Sequence, residues 1–170
     1  MVATAAALLQ KVARLSGKQW PEATEMHRRA ERLRLHAEEL IERDSTAFLE
    51  YVEAVRSRTD VAAAKARTVE IPLEIARAAA EVAALAEESA SHGNRNLRPD
   101  AVVAATLAAA AAESASFLVA INLGEAEDVR LEEARRLAGE ASERLRSPAA
   151  RGSKGDPGRA RARSAGSRRR

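Results

Sequence analysis

Glycine and proline, the residues that most reliably interrupt regular structure, are scarce in this chain and fall mostly near its ends or at evident breaks. There are 8 Gly and 5 Pro in 170 residues. The stretches between them are rich in alanine, and aromatic residues make up 2%. Such stretches favour helices packed closely through small side chains and offer little from which to build a sheet. Five helices are legible. The first runs from about Val2 to Leu15 and stops at Ser16-Gly17, where Gly17 can take a left-handed cap conformation. Trp20-Pro21 opens a long second helix to about Arg56. Thr59 or Asp60 can cap a third, over roughly 60–91, which Pro72 should kink or divide. Pro99-Asp100 opens a fourth, to about Asn122, and Gly124 separates it from a charged fifth over about 125–146. Short connections between long helices favour antiparallel neighbours, so the expected fold is all-α, an antiparallel bundle of about five helices.

The length suits one domain, residues 1–146, with a tail, residues 147–170. The tail carries eight Lys/Arg against one Asp, so residues 1–146 hold 20 basic and 24 acidic residues. The folded part is therefore mildly acidic, and the tail alone makes the chain basic. Gly, Ser, Pro, Ala and Arg without an apolar period predict a disordered tail, and nucleic-acid binding is expected at most weakly and through it. The absence of cysteine excludes disulfides, cysteine-zinc sites and thiol nucleophiles. Three histidines, His27, His36 and His92, are too few for a histidine-rich metal site and are read as surface residues. Ala101–Ile121 is long enough to span a membrane and holds one charge, Glu113, but ten of its residues are Ala and three are Ser or Thr. It reads as the core helix of a soluble, cytoplasmic protein. Lacking a consistently polar face, it is buried on most sides, centrally or at a subunit contact, which points to a homodimer.

One residue is out of place. In the second helix Leu33, Ala37, Leu40, Ile41, Phe48, Tyr51, Val52 and Val55 form an apolar stripe, and the position between Ile41 and Phe48 on that face is Asp44. A carboxylate taken from water without partners costs several kcal/mol, so Asp44 is either a core Asp bonded to a neighbouring helix or water, or a working group.

Four stretches, in order, resemble the formiminotetrahydrofolate cyclodeaminase / methenyltetrahydrofolate cyclohydrolase family. They are Val12-Ala13-Arg14-Leu15-Ser16-Gly17-Lys18-Gln19-Trp20, with its Gly-basic-x-aromatic turn; Asp44-Ser45-Thr46-Ala47-Phe48, an Asp-x-x-Ala-Phe signature; Ile71-Pro72-Leu73-Glu74-Ile75-Ala76; and Gly93-Asn94 with Asp100 and Ile121-Asn122-Leu123. Together they span about residues 8–146. The resemblance implies an all-helical, dimeric folate enzyme whose acid/base carboxylate is Asp44. Closing formiminotetrahydrofolate to methenyltetrahydrofolate delivers a proton to departing ammonia and removes one from the attacking nitrogen, a relay suited to a partly buried carboxyl group. In the cyclohydrolase direction the same group would activate water against the methenyl carbon. Neither reaction calls for a bound metal or redox cofactor; the tetrahydrofolate derivative is substrate.

The resemblance also places Gly93, Asn94 and Asp100 near the folate, although Asp100 behind Pro99 equally suits a first-turn carboxylate facing the helix dipole. Asn122 is either a ligand contact or a helix-end cap. Lys18 and Arg14 are candidates for the glutamate tail of folate, though basic residues are ordinary near a helix C-terminus. The chain departs from the family in four places. Its Gly-Gly-Gly-Ser stretch before helix one has no counterpart here, and no Gly precedes Gly17. A Leu-Pro-Lys loop is missing after Arg56. Leu118 replaces an Asn four residues before Asn122, and Pro99 replaces a Ser before Asp100. Two functions are therefore expected: a cyclodeaminase (an ammonia-lyase) or cyclohydrolase working through Asp44, or alternatively a non-catalytic relative serving as a helical dimerisation module.

Overall fold

The computed structural model describes residues 1–147, and the tail expected to be disordered lies, beyond Ser147, outside them. The chain is all-α. Its helices are α1 (Val2–Ser16), α2 (Ala23–Ser57), α3 (Val61–His92), α4 (Arg98–Leu123) and α5 (Val129–Arg146), with a 3-10 turn at Arg95–Leu97 ahead of α4. No strand occurs among the described residues.

Cross-helix bonds give the directions. Arg43 pairs with Glu74, and further along Arg67 pairs with Glu50, so α2 and α3 are antiparallel. Asn122, at the end of α4, meets Thr68 near the start of α3, and Ser142 of α5 meets Glu113 of α4. Arg77 with Glu133 and Arg144 with Glu87 run in step, so α3 and α5, each antiparallel to α4, are parallel to each other.

The main core lies between α1, the first half of α2, the second half of α3 and the first half of α4. Leu9, Met26, Val82 and Leu85 meet Ala104, Ala108 and Ala112 there. A second cluster joins Val69 and Leu73 of α3 to Val119 and Leu123 of α4 and Leu137 of α5. Alanine at so many contact positions presents little bulk between neighbouring helices, and small side chains at a contact favour close approach.

Several local expectations are corrected. Gly17 is right-handed (φ −56°, ψ −23°), and α1 ends instead through Ser16 O, which accepts from Gln19 N and Trp20 N. Left-handed backbone occurs at Arg58, Asp60 and Gly124. Arg58 closes α2 with its N–H on Ala54 O, and Asp60 begins α3 without a side-chain cap bond. Pro72 does not divide α3, which is continuous through it. His27 is half-buried with Nδ1 3.1 Å from Gln10 O, His36 is half-buried, and exposed His92 stacks on buried Trp20.

The apolar stripe of α2 is buried only in part. Leu33, Ala37 and Leu40 are in the core, whereas Ile41 and Phe48 are each 61% exposed, and Val52 and Val55 are about half exposed. The start of α1 reaches α2 near Ala37, Leu40 and Ile41, where Met1, Val2 and Ala3 line a cavity with them. Helix α4 packs against α1, α3 and α5, yet Phe117, Leu118 and Ile121 at its C-terminal end remain exposed beside α2.

Candidate functional site

Asp44 opens onto a cavity of about 450 Å³ at the end of the bundle where α2, the start of α3 and the end of α4 converge. Each helix contributes one stripe. Helix α2 supplies Asp44, Phe48 and Tyr51; α3 supplies Lys65, Thr68 and Pro72; α4 supplies Leu118, Ile121 and Asn122, with Gly124 just beyond. These are steps of three, four and seven residues, which stack side chains on one helical face. The volume is within the range of small-molecule sites, about 300–1,000 Å³.

The chemistry of the lining is sparse. Asp44 is its one acidic side chain and Lys65 its one basic side chain. Asp44 is half-buried and makes no hydrogen bond or ion pair among the described residues. Its neighbour Arg43 turns to α3, where its guanidinium donates to both oxygens of Glu74, at 2.7 and 2.9 Å. That carboxylate holds the Arg43 pKa above its ordinary value, and the pair leaves Asp44 without its nearest cation. Asn122 donates from Nδ2 to Thr68 O at 2.6 Å. Phe48, Tyr51, Leu118 and Ile121 provide apolar and aromatic surface around these groups. One carboxylate, one ammonium, an amide and flanking rings can hold a flat, polar heterocycle and move a proton at its edge.

The other candidate residues are elsewhere. Asp100 pairs with Lys11 of α1 at 2.7 Å. It lies 22 residues before Asn122 on the same helix, roughly 33 Å along the axis. Gly93 fits between the end of α3 and α1: an added Cβ would stand 2.5 Å from Ser89 O of α3 and 3.3 Å from Val12 Cγ1 of α1. Asn94 donates its backbone N–H to Ser16 Oγ at 2.8 Å, and its own Oδ1 accepts from Asn96 N at 3.0 Å. Arg14, in the last turn of α1, and Lys18, just after it, are exposed at the same end. Within one protomer the structure therefore brings Asp44 and Asn122 together and holds Gly93, Asn94, Asp100 and Lys18 at the opposite end.

Sequence reasoning passed over Lys65, Thr68 and Tyr51. The first two lie seven and four residues before Pro72, on the face it shares, so the signal was available once Pro72 was placed inside a continuous helix.

A comparison with curated proteins found no match. Among solved structures, the chain is similar to formiminotetrahydrofolate cyclodeaminase from Thermotoga maritima, with 27% sequence identity, a TM-score of 0.76, and coverage of 85% of this chain and 81% of that one. The family model described as formiminotransferase-cyclodeaminase matches residues 1–140, through all four helices that carry the cavity and its supports and into α5. The chain belongs to the formiminotransferase-cyclodeaminase family.

Proposed function

We propose that this protein is a folate one-carbon enzyme, a formiminotetrahydrofolate cyclodeaminase or methenyltetrahydrofolate cyclohydrolase, with Asp44 as its acid/base group. The observation that carries the reading is the placement of an unpaired, half-buried carboxylate on a cavity of folate-ring size. In the deaminase direction a nitrogen of the folate attacks the formimino carbon, ammonia leaves, and Asp44 takes a proton from the former and returns one to the latter. In the hydrolase direction Asp44 removes a proton from water as it adds to the methenyl carbon, and returns a proton to the folate nitrogen whose bond to that carbon then breaks. Both proceed without change of oxidation state, so the reaction asks for no redox cofactor, and the proton relay through Asp44 is proposed without a bound metal. Tyr51 and Phe48 offer faces for the ring system, and Lys65 is placed to meet a carboxylate of the substrate.

Ile41, Phe48, Phe117 and Ile121 surround the cavity end with exposed apolar surface, which supports a homodimer. We place its work in the cytoplasm, where folate substrates are met, with no membrane partner. The same apolar surface suits a purely structural helical dimer, and one assay separates the two. Wild type should either form methenyltetrahydrofolate from formiminotetrahydrofolate or consume it, both followed by its absorbance, and Asp44→Asn should lose about 10²–10⁴ in rate while keeping its helical circular dichroism. A wild-type rate equal to buffer, or full activity in Asp44→Asn, removes the enzyme reading.

A further inference from the structure

In an α-helix the carbonyl of residue 68 accepts from the N–H of residue 72, and here residue 72 is proline, which has none. Thr68 O is thus left without its helical donor on a half-buried stretch beneath α4. The Thr68 hydroxyl does not turn back to relieve it, being committed as donor to Lys65 O at 2.8 Å. The missing donor comes from another helix: Asn122 Nδ2 reaches Thr68 O at 2.6 Å. Pro72, Thr68 and Asn122 all line the cavity that holds Asp44.

We infer that Pro72 is a positioning residue: by removing one backbone N–H it makes Thr68 O a fixed anchor for the Asn122 amide, so that the cavity is shown the Asn122 carbonyl oxygen. A side-chain amide can ordinarily rotate to present either its donor or its acceptor edge. Here rotation would set Oδ1 against the Thr68 oxygen and leave a backbone carbonyl unpaired, which fixes the nitrogen on the α3 side. Oδ1 accepts no hydrogen bond from the protein among the described residues. It is an acceptor, so the group it reads on a ligand is an N–H or amino donor, such as those on the edge of an amino-substituted pyrimidinone. The ligand part of this inference rests on the folate reading; the anchoring of the amide does not.

A double-mutant cycle tests the anchor on the full chain. Asn122→Ala should lower the urea midpoint in the wild-type background. In the Pro72→Ala background, where residue 72 regains an N–H for Thr68 O, it should do so far less. In NMR spectra the Asn122 side-chain amide protons should exchange slowly with water in wild type and quickly in Pro72→Ala. Additive midpoints together with unchanged amide exchange overturn the anchor. For the ligand, KM for whichever of formimino- and methenyltetrahydrofolate wild type turns over should rise roughly fivefold in Pro72→Ala, the equivalent of one hydrogen bond, with kcat within about twofold. Asn122→Ala should then add little on top. A KM unchanged in Pro72→Ala but raised in Asn122→Ala overturns the claim that Pro72 sets what the ligand meets. If wild type turns over no folate, the proposed function fails, and the cycle and the amide exchange still decide the anchor.

Discussion

Lys65 stands across the cavity rim from Asp44, exposed, and makes no ion pair among the described residues. An ammonium in such a place contributes by attracting a mobile anion. Its worth is modest because solvent reaches it, on the scale of exposed ion pairs, about 0.2–1 kcal/mol. Lys65→Ala should therefore raise KM for the folate substrate up to about fivefold with little change in kcat, and Lys65→Arg should keep most of the affinity. The difference between wild type and Lys65→Ala should shrink as salt is raised, because an exposed pair is screened. Steady-state kinetics at low and high ionic strength check this, and equal KM values at low salt exclude Lys65 from substrate binding. Lys18, the basic residue suggested by its turn motif, makes a clear contrast: it sits at the far end of the protomer from Asp44. Lys18→Ala should leave KM unchanged in a monomer. An effect there would mean that a second copy brings that end to the cavity.

At the scale of helices, α5 buries Ala134, Leu137, Ala138 and Ala141 and is tied by charge at its start. Asp128 is its N-cap, with Oδ1 accepting from Arg130 N at 2.8 Å and both carboxylate oxygens taking the Arg130 guanidinium. Those bonds lower the Asp128 pKa from 3.8 to about 2. Arg77 of α3 donates to both oxygens of Glu133, which lowers the Glu133 pKa in turn. Both acids titrate below their unfolded values when the chain is folded. Their contribution is therefore complete above about pH 5 and fades as pH falls through the folded values, toward about 2 for Asp128. Wild type should lose urea midpoint on acidification from about pH 5 to pH 2 more steeply than Arg130→Met and Arg77→Met, which lack the pairs. Parallel slopes in all three proteins would remove these pairs as the cause. In the core the scale differs: Leu73, with no exposed surface, should cost about 2–5 kcal/mol as Leu73→Ala by equilibrium unfolding.

Helix boundaries were legible because the breaks are chemical. Gly, Pro and short polar breaks place all five helices to within a few residues, although Asp60 makes no side-chain cap bond. What lay beyond reading was which neighbour covers a given face. The stripe from Leu33 to Val55 has helical period throughout, but periodicity carries no information about where its burial ends. Pro72 shows the same limit. Its missing N–H is written in the sequence, whereas the compensating donor is 50 residues away, on α4. For the site, order along the chain grouped six residues that space divides into two ends, since a motif records sequence and not distance.

For the whole molecule, most of the large apolar side chains that the bundle leaves uncovered lie on the second half of α2 and the C-terminal end of α4, with Leu15, Leu35, Val103 and Val129 elsewhere. Ile41, Phe48 and Val52 of α2 face the same end as Phe117 and Ile121 of α4, and the cavity opens among them. Single exposed apolar residues are ordinary on a monomer, but a contiguous group at the mouth of a cavity marks a surface that another surface meets. A second copy would cover it with like surface through a two-fold axis, the commonest arrangement of oligomers. Covering it would also take water away from around Asp44, so assembly and activity should be linked. Phe117 is the place to test this, because it is 66% exposed and lies outside the cavity lining. Phe117→Glu puts a charge into the contact without altering the site within a protomer. In sedimentation equilibrium wild type should run at twice the protomer mass of 18.2 kDa and Phe117→Glu at that mass, with unchanged helical circular dichroism. The rate per protomer should fall with dimer content as wild type is diluted, and should be low at every concentration in Phe117→Glu. A wild-type monomer at tens of micromolar that still turns over folate would show instead that the protomer is sufficient and that the apolar rim serves the ligand alone.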